Sequence, residues 1–309
     1  MTVFTLSPEV AKAKAAGQPI VALESTIITH GMPWPDNLDM ARQVEQDVRD
    51  YGATPATIAV LDGALCIGLT DAQLKDLAQY PDASKLSRAD LAVCMSQGKT
   101  GATTVAATMI AAALADIDVF ATGGIGGVHR GADQTFDISA DLSELAQTSV
   151  TVVCAGAKAI LDLQKTLEVL ETQGVPVIAY GQDDLPAFWS RDSGLVAPLR
   201  LDSAKSVARA HHMRRTLRLP GGQLVANPIP VDFEIPRETM DPVIEQANAD
   251  ATAANIKGKA VTPFLLGRIF ELTEGRSLIA NIALVRNNAQ LAAQIAYELG
   301  KFGKETPPL

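Results

Sequence analysis

Short apolar runs alternate with longer stretches of helical spacing along most of the chain. An unbroken apolar run of four to six residues is typical of a strand that is buried on both faces. Stretches in which apolar residues recur every three or four positions predict amphipathic helices. We expect strands over residues 20–23, 57–61, 64–67, 91–95, 119–121, 150–154, 175–180 and 222–226. This alternation, which continues to residue 227, predicts an α/β protein with three layers, α/β/α, around a largely parallel central sheet.

The predicted helices have recognisable start signals. Ser7-Pro8 and Thr70 each place a capping residue before a helical stretch. Asp62-Gly63 separates two predicted strands and indicates a hairpin. Helices are predicted over residues 37–51, 70–78, 105–114, 141–146, 203–217, 240–255, 262–272 and 277–299. No internal repeat or low-complexity linker interrupts the pattern, so we expect a single domain over residues 1–309.

Composition and charge narrow the class of protein. The chain has 309 residues, of which 47% are hydrophobic, and a net charge of −9. This charge argues against unaided binding to nucleic acid or to anionic membranes, but it leaves a small anionic substrate open. The three cysteines lie in apolar runs, which suggests reduced thiols and a cytoplasmic protein. We expect no signal peptide at the amino terminus, and the longest apolar run is too short to span a bilayer.

Lys158 follows the predicted strand 150–154 and a turn of three small residues. The spacing from Lys158 onward is helical, so we expect this lysine in the first turn of a helix, at the edge of the sheet where ligands bind. The positive field of a helix amino end favours a neutral, nucleophilic amine. The sequence therefore suggests a Schiff-base or phosphate-contacting lysine. The alternative is a lysine that extends from a crowded turn into water.

Glu24 follows the predicted strand 20–23 and precedes two hydroxyl residues. It is a candidate general acid or base, whereas the alternative is a helix cap or a solvated strand end. The first reading gains support because Glu24 and Lys158 are expected at the same edge of the sheet.

The segment Gly123–Gly127 has four glycines in five residues after a predicted strand. Its backbone N–H groups are expected to approach an anion closely, or the glycines are needed only for a tight turn. The spacing is not that of a dinucleotide-binding or phosphate-loop motif.

Acidic residues recur downstream at a spacing of four. Asp133, Asp137 and Asp141 follow His129, and intervening residues favour a loop over a helix. Carboxylates with few histidines suit a hard cation such as Mg²⁺ or Mn²⁺ bound with several waters.

Several other polar residues have weaker signals. Lys85 and Lys99 flank the predicted strand 91–95, and each is either a phosphate contact or a surface lysine. Asn227 and Asn281 stand among apolar residues, where an amide usually satisfies backbone groups. His211 and His212 lie near a basic helix end and are predicted to be at the surface.

Taken together, these segments resemble the pseudouridine-5′-phosphate glycosidases, a family that includes indigoidine synthase A-like proteins. The resemblance covers nearly the whole chain in unbroken order, apart from residues 81–84 and 185–197. The matching stretches are ALESTIITHGMP from Ala22, GATTVAATM from Gly101, FATGGIGGVHRGA from Phe120, TFDISADL from Thr135, TVVCAGAKAILDL from Thr151, VANPIP from Val225, TPFLL from Thr262 and NIALVRNNA from Asn281.

The resemblance implies a function and a set of site residues. The family reversibly cleaves the C–C glycosidic bond of pseudouridine 5′-phosphate with water, which gives uracil and ribose 5-phosphate. The resemblance makes Lys158 the nucleophile and Glu24 the proton donor. It also implies a homotrimer and one Mn²⁺ per subunit, held by Asp137 through waters. The substrate contacts that it implies are Lys85, Val105, Ser139, Ala140 and Asp141, with His129 and Asn281 nearby.

This chemistry suits a lysine and one acid. A C–C glycoside has no leaving oxygen to protonate, so the two-carboxylate route of other glycosidases does not apply. An imine at C1′ is an electron sink, and the departing uracil needs a proton at C5. Two alternatives remain open at this point: a phosphosugar aldolase or lyase that uses Lys158, and a sugar-phosphate sensor without turnover.

Overall fold

The computed structural model describes residues 3–256, 258 and 261–302. The predicted single domain, residues 1–309, therefore includes residues outside the described part of the chain. The strands are β1 Phe4–Leu6, β2 Ile20–Leu23, β3 Thr54–Leu61, β4 Ala64–Ile67, β5 Ser84–Leu86, β6 Gly101–Thr103, β7 Val119–Ala121, β8 Thr151–Cys154, β9 Val177–Tyr180, β10 Leu199–Leu201 and β11 Gln223–Ala226. The helices are α1 Pro8–Ala15, α2 Thr26–His30, α3 Asp36–Asp50, α4 Asp71–Ala78, α5 Leu91–Ser96, α6 Val105–Leu114, α7 Ala132–Thr135, α8 Ala140–Gln147, α9 Leu163–Thr172, α10 Ala204–Thr216, α11 Arg237–Ala253, α12 Val261–Leu272 and α13 Arg276–Phe302.

The strands form one largely parallel sheet in the order β1-β4-β3-β2-β7-β8-β11-β9-β10, with β6 beside β3 and β5 beside β6. Antiparallel pairing occurs where β3 meets β4 and β6. Helices flank the sheet, and α6 and α13 both pack against β2 and β7. The predicted α/β/α architecture with a largely parallel sheet is confirmed. In a parallel sheet the carboxyl ends of neighbouring strands meet at one edge, so β2, β7 and β8 deliver their following residues to one place.

The central strands carry the core. Every residue of β7 and β8 is buried, as expected for strands covered on both faces. The predicted caps also form: Ser7 Oγ accepts from the Val10 N–H, and Thr70 makes a capping box with Gln73. All three cysteines are free and buried. No helix in the described ranges is both long and apolar enough to cross a membrane.

Three predictions about secondary structure are wrong. The expected strand 91–95 is the helix α5, in which Leu91 and Cys94 are buried and Val93 is 55% exposed. A short apolar run cannot be assigned by periodicity alone, and here the burial repeats every three residues. The glycine- and threonine-rich residues 98–104, for which the sequence predicts a turn, contain the strand β6. Lys158 is not in a helix, because α9 begins only at Leu163.

Candidate active site

The carboxyl ends of β2, β7 and β8 open into a cleft of about 330 Å³. Nine of the ten residues proposed from sequence line it: Glu24, Lys85, Val105, His129, Asp137, Ser139, Asp141, Lys158 and Asn281. The tenth, Ala140, is exposed at the start of α8 and lies outside the cleft lining. Residues more than 250 positions apart in the chain are thus brought to one cavity.

Lys158 lies in the loop between β8 and α9. Its backbone N–H donates to the Ile125 carbonyl at 3.1 Å, and its own carbonyl accepts from Leu161 at 3.0 Å. The helix that follows is capped by the Asp162 side chain, so its amino end lies beyond the lysine. The argument from the helix field therefore does not apply to this residue. The backbone contacts fix the loop, and the half-buried side chain lines the cleft.

Glu24 is the first residue after β2 and is 9% exposed. The Thr26 hydroxyl donates to one of its carboxylate oxygens, and the Thr122 hydroxyl donates to the other. Thr122 directly follows β7, the neighbour of β2 in the sheet. The side chain is therefore buried and held on both sides, which disagrees with a solvated strand end.

Asp141 ties together three parts of the cleft wall. One carboxylate oxygen accepts from the Ala106 N–H at 2.9 Å, at the start of α6. The other accepts from the Gly126 N–H at 2.8 Å. Ser139 caps α8 by accepting from the Asp141 N–H at 3.2 Å. Because backbone donors occupy both oxygens, the side chain of Asp141 shapes the site and aligns the amino end of α6.

The glycine segment is packed against side chains. A Cβ on Gly124 would lie 2.7 Å from the Phe188 ring, and one on Gly127 would lie 2.5 Å from Thr166 Oγ1. A Cβ on Gly126 would meet the Ser139 side chain at still closer range. The N–H of Ile125 donates to the Gly156 carbonyl, and that of Gly126 to Asp141. Of the two alternatives left by the sequence, close packing is the one that these contacts favour.

Two lysines influence the histidines of the cleft. Burial lowers the pKa of His129, as do the charges of Lys158 and Lys85, while Asp137 opposes this shift. Burial and the charge of Lys85 also lower the pKa of His30, which lines the same cleft. Both shifts favour neutral imidazoles beside the two lysines. Lys85 and Lys158 are cations that can pair with an anionic group of a substrate, although three carboxylates, Glu24, Asp137 and Asp141, line the same cleft.

Asp137 and His129 lie at the two ends of a short loop that contains α7. The His129 N–H donates to the Asp137 carbonyl at 3.0 Å. The helix α7 covers only residues 132–135, so Asp133, Asp137 and Asp141 do not share a helix face. Among the residues that the structure describes, no group of three or more His, Cys, Asp or Glu side chains is arranged to hold a metal ion. The half-buried Asp137 carboxylate fits a hard cation that keeps most of its waters, and it does not fit an all-protein cage.

The remaining polar residues lie away from the cleft. Lys99 is exposed, and the amide of Asn227 donates to Asn288 Oδ1 at 3.1 Å in the core. The prediction that His211 is at the surface is wrong, because it is 1% exposed and its Nδ1 is 2.9 Å from Thr151 Oγ1. It lies on the buried face of α10 with Val207 and Ala208. His212 is half-buried and stacks on Phe302.

Sequence reasoning missed several residues of the cleft wall. Phe188 lines the cleft from an irregular segment, with a φ of 62° that non-glycine residues rarely adopt. Val285 lines it from α13, one helical turn after Asn281. Thr104 also lines it, and its buried hydroxyl has no hydrogen-bond partner among the described residues. The unusual backbone of Phe188 has no signature in the sequence.

Cys154 ends β8, close to Lys158. Burial raises the pKa of its thiol to about 12. The thiol therefore stays protonated near neutral pH and is a packing group, not a competing nucleophile.

An α/β fold with a lysine and a buried glutamate in one sheet-edge cleft defines an enzyme-like site, and comparison with known proteins gives its family. The model of the family described as "Indigoidine synthase A like protein" matches residues 9–298, and the chain belongs to this family. The resemblance proposed from sequence is thereby confirmed.

Individual relatives are similar to this chain over nearly their whole length. The chain is 69% identical to the pseudouridine-5′-phosphate glycosidase of Jannaschia sp., over 96% of this chain and 98% of that one. It is 58% identical to the enzyme of the same name from Deinococcus radiodurans, over 96% and 95% of the two chains. The crystal structure of the prealnumycin C-glycosynthase in complex with ribulose 5-phosphate superimposes with a TM-score of 0.91, at 36% identity, and covers 99% of this chain and 100% of that one.

Proposed function

We propose that the protein is a pseudouridine-5′-phosphate glycosidase. It cleaves pseudouridine 5′-phosphate with water to uracil and ribose 5-phosphate, and it catalyses the reverse reaction. The observation that carries the proposal is that Lys158 and Glu24 line one cleft of about 330 Å³, beside a second lysine. The names of relatives that are 58–69% identical over nearly the whole chain support the substrate.

The mechanism assigns one role to each group. The Lys158 amine bonds to C1′ of the ribose as the ring bond between C1′ and O4′ breaks, and the proton that the amine loses goes to O4′. The bond between C1′ and C5 of uracil then breaks, which forms the imine of C1′ and leaves its electron pair on C5. A proton from Glu24 replaces the sugar at C5, and the two threonine hydroxyls keep that carboxyl in place. Water hydrolyses the protonated imine, which releases ribose 5-phosphate, restores the amine and returns a proton to Glu24.

Other groups bind and orient the substrate in this proposal. Lys85, His129, Ser139 and Asn281 line the cleft and contact the sugar phosphate or the base, while Val105 offers its N–H at the start of α6. Ala140 contributes only through its backbone, since its side chain lies outside the cleft lining. Asp137 would hold one Mn²⁺ through waters, and the ion supplies positive charge to the oxygens of the substrate.

Borohydride trapping tests the covalent step. Reduction in the presence of ribose 5-phosphate is expected to fix the sugar phosphate on the peptide that contains Lys158. The Lys158→Ala variant is expected to lose both the adduct and turnover while it keeps the fold, and Lys99→Ala serves as an exposed lysine control. An adduct on another lysine, or substantial cleavage by Lys158→Ala, contradicts the mechanism. Formation of pseudouridine 5′-phosphate from ribose 5-phosphate and uracil separates this activity from that of an aldolase.

The metal, the assembly and the location belong to the same proposal. Removal of divalent ions with EDTA is expected to reduce turnover, and Mn²⁺ is expected to restore it in the parent protein more than in Asp137→Asn. Light scattering after size exclusion is expected to give the mass of a homotrimer. A cytoplasmic location is consistent with three free, buried thiols.

A further inference from the structure

The irregular segment between β9 and β10 carries two aromatic rings into the protein. Phe188 lines the cleft, and Trp189 lies behind it with 1% of its surface exposed. The two rings meet edge to face, with centroids 4.9 Å apart. The segment lies outside the stretches that carry the resemblance, yet it reaches the wall of the site.

The indole of Trp189 contacts the side chain of Asn281. Its N–H donates to Asn281 Oδ1 at 2.7 Å and, over a longer distance of 3.2 Å, to the Ser277 carbonyl. An indole is a donor only, so the amide oxygen of Asn281 must face Trp189. The NH₂ group then points away from the indole, and it makes no hydrogen bond with any described residue.

Trp189 is itself held rigidly. Its carbonyl accepts from the Ile235 N–H at 2.9 Å, and the Phe188 N–H donates to the Ala155 carbonyl at 2.9 Å. The next residue, Ser190, donates its hydroxyl to the Ile235 carbonyl at 2.7 Å. Because Trp189 is fixed in this way, it can hold the Asn281 side chain in one orientation before a ligand binds, so that binding carries no large entropic cost.

The surroundings of Asn281 on the cleft side are apolar. Val285 follows one turn later on α13, and both its side chain and the Phe188 ring lie near Gly123. A single pair of N–H donors between apolar groups suits an acceptor oxygen at the edge of a flat ring whose faces pack against those groups. A pyrimidine carbonyl has this chemistry.

We propose that Trp189 is a positioning residue that fixes Asn281 with its amide N–H groups towards the cleft, where they bind a carbonyl oxygen of the pyrimidine. The inference rests on the proposed function and assigns part of its base recognition to a residue that does not touch the substrate. Without the indole donor the amide can turn over and present its oxygen to the substrate carbonyl, which is repulsive.

A double-mutant cycle tests the proposal. Trp189→Phe keeps an aromatic ring but removes the donor, and it is expected to lower kcat/KM about 10-fold, the scale of one lost hydrogen bond. The double variant Trp189→Phe/Asn281→Ala is expected to be no worse than Asn281→Ala, because the tryptophan acts through the asparagine. Independent, multiplicative losses overturn the proposal, as does full activity of Trp189→Phe.

Two further variants separate positioning from folding. Thr151→Val removes buried hydrogen bonds with His211 and Gln223 at the first residue of β8, outside the cleft lining, and it is expected to lower Tm while it leaves kcat/KM unchanged. Asn281→Asp keeps an acceptor for the indole and the size of the side chain, but it presents an acceptor to the cleft. It is expected to retain Tm and to lose as much kcat/KM as Asn281→Ala, and unchanged kcat/KM contradicts the proposal.

A spectroscopic measurement makes the test independent of turnover. The protein has two tryptophans, so Trp34→Phe leaves one indole N–H signal. In this background we expect the nuclear magnetic resonance signal of the Trp189 indole N–H to be protected from exchange with solvent. Its chemical shift is expected to change on addition of uracil. In Asn281→Ala the chemical shift is expected not to respond to uracil. A protein that shows this response but does not turn over pseudouridine 5′-phosphate refutes the proposed function and retains the positioning role. A signal that is indifferent to Asn281→Ala refutes the positioning role.

Discussion

At the scale of single residues, Glu24 owes its orientation to the hydroxyls of Thr26 and Thr122. Each hydroxyl donates to a different carboxylate oxygen, and the carboxyl is 9% exposed. A general acid contributes most when its position is fixed relative to the atom that it protonates. The sequence indicates the first of these partners by adjacency, whereas Thr122 is 98 residues away and is brought near only by strand pairing.

Removal of the distant hydroxyl is expected to impair catalysis. Thr122→Val keeps the shape of the residue but frees one oxygen of Glu24, and kcat is expected to fall about 10- to 100-fold. Thr148→Val is the matched control, because Thr148 donates to Glu144 outside the cleft lining. Steady-state kinetics of both variants provide the measurement. Equal kcat values in Thr122→Val and Thr148→Val contradict this role of Thr122.

The half-buried His30 makes stability depend on pH. Burial and Lys85 lower its pKa, so the folded chain takes up this proton less readily than the unfolded chain. The associated stability is complete above about pH 6.5, the value of an unperturbed histidine, and is lost as the pH falls below it. The free energy of unfolding of His30→Asn is expected to fall less with acidification than that of the parent protein.

Urea denaturation at a series of pH values below about 6.5 measures the free energy of unfolding of His30→Asn and of the parent protein. Thr29→Val is the control, since it removes the hydroxyl 2.6 Å from His30 Nδ1 and retains the imidazole. An identical pH dependence in His30→Asn and the parent protein contradicts the argument.

At the scale of elements, the sequence predicts helix starts and turns correctly where neighbouring backbone groups alone determine them. The capping residues Ser7 and Thr70 and the hairpin at Asp62-Gly63 are all present, because each depends on neighbouring backbone groups. The spacing from Lys158 onward predicts a helix too early, because Ile160 and Leu161 are buried in the loop before α9, where Leu161 lines the cleft. Short edge strands such as β1 and β10 were missed because their half-exposed sequences carry no clear period.

The site was predictable to the extent that it follows strand ends. Glu24 comes directly after β2, and Lys158 follows β8 after a turn of three small residues, so parallel pairing brings both to one edge. The resemblance to a family supplied Lys85 and Val105, which have no such local signal. Contacts such as that of Trp189 with Asn281, 92 residues apart, depend on the tertiary structure.

The glycine segment is expected to be intolerant of even a methyl group. Gly126→Ala places a Cβ against Ser139 and 2.8 Å from Asp141 Oδ2, so the bond that aligns α6 with the segment is disturbed. We expect a loss of about 1–3 kcal/mol in the free energy of unfolding, as for overpacked sites, and a loss of activity. Gly300→Ala in α13 has no described neighbour within 4 Å and is expected to gain about 0.5–1 kcal/mol. Thermal unfolding of both variants checks the contrast, and a Gly126→Ala protein as stable as the parent contradicts it.

At the scale of the whole molecule, α13 connects distant layers. This helix of 27 residues packs against α3, α10 and three strands of the sheet. It lines the cleft with Asn281 and Val285, and the Asn288 amide donates to the Thr122 carbonyl at 2.8 Å. The backbone beside the proposed acid is thus supported by an element from the far end of the chain.

An ion pair fastens this helix to α3. Arg286 donates to both oxygens of Asp47 at 2.6 and 3.0 Å, and Asp47 is 6% exposed. Arg286→Gln leaves a buried carboxylate without its cation, and we expect a loss of about 1–2 kcal/mol in the free energy of unfolding, since the arginine is partly screened by water.

The contrasting pair is Arg42 with Asp71, which has the same two-bond geometry between exposed side chains. Arg42→Gln is expected to cause no measurable change, because water screens an exposed pair. Urea denaturation compares the two variants. Equal losses in both show that burial of the carboxylate does not decide the outcome.

The position of α13 in the chain has a consequence for biosynthesis. A ribosome makes every strand of the sheet before it makes this helix, so the growing polypeptide passes through a stage in which the sheet can form while one wall of the cavity is missing. Nascent chains stalled before Arg276 are therefore expected to lack the Asn281 and Val285 side chains of the cleft wall. They also lack Asn288, which supports the backbone beside the proposed acid. Catalytic competence is then acquired only after α13 has been made, when this wall closes over the sheet.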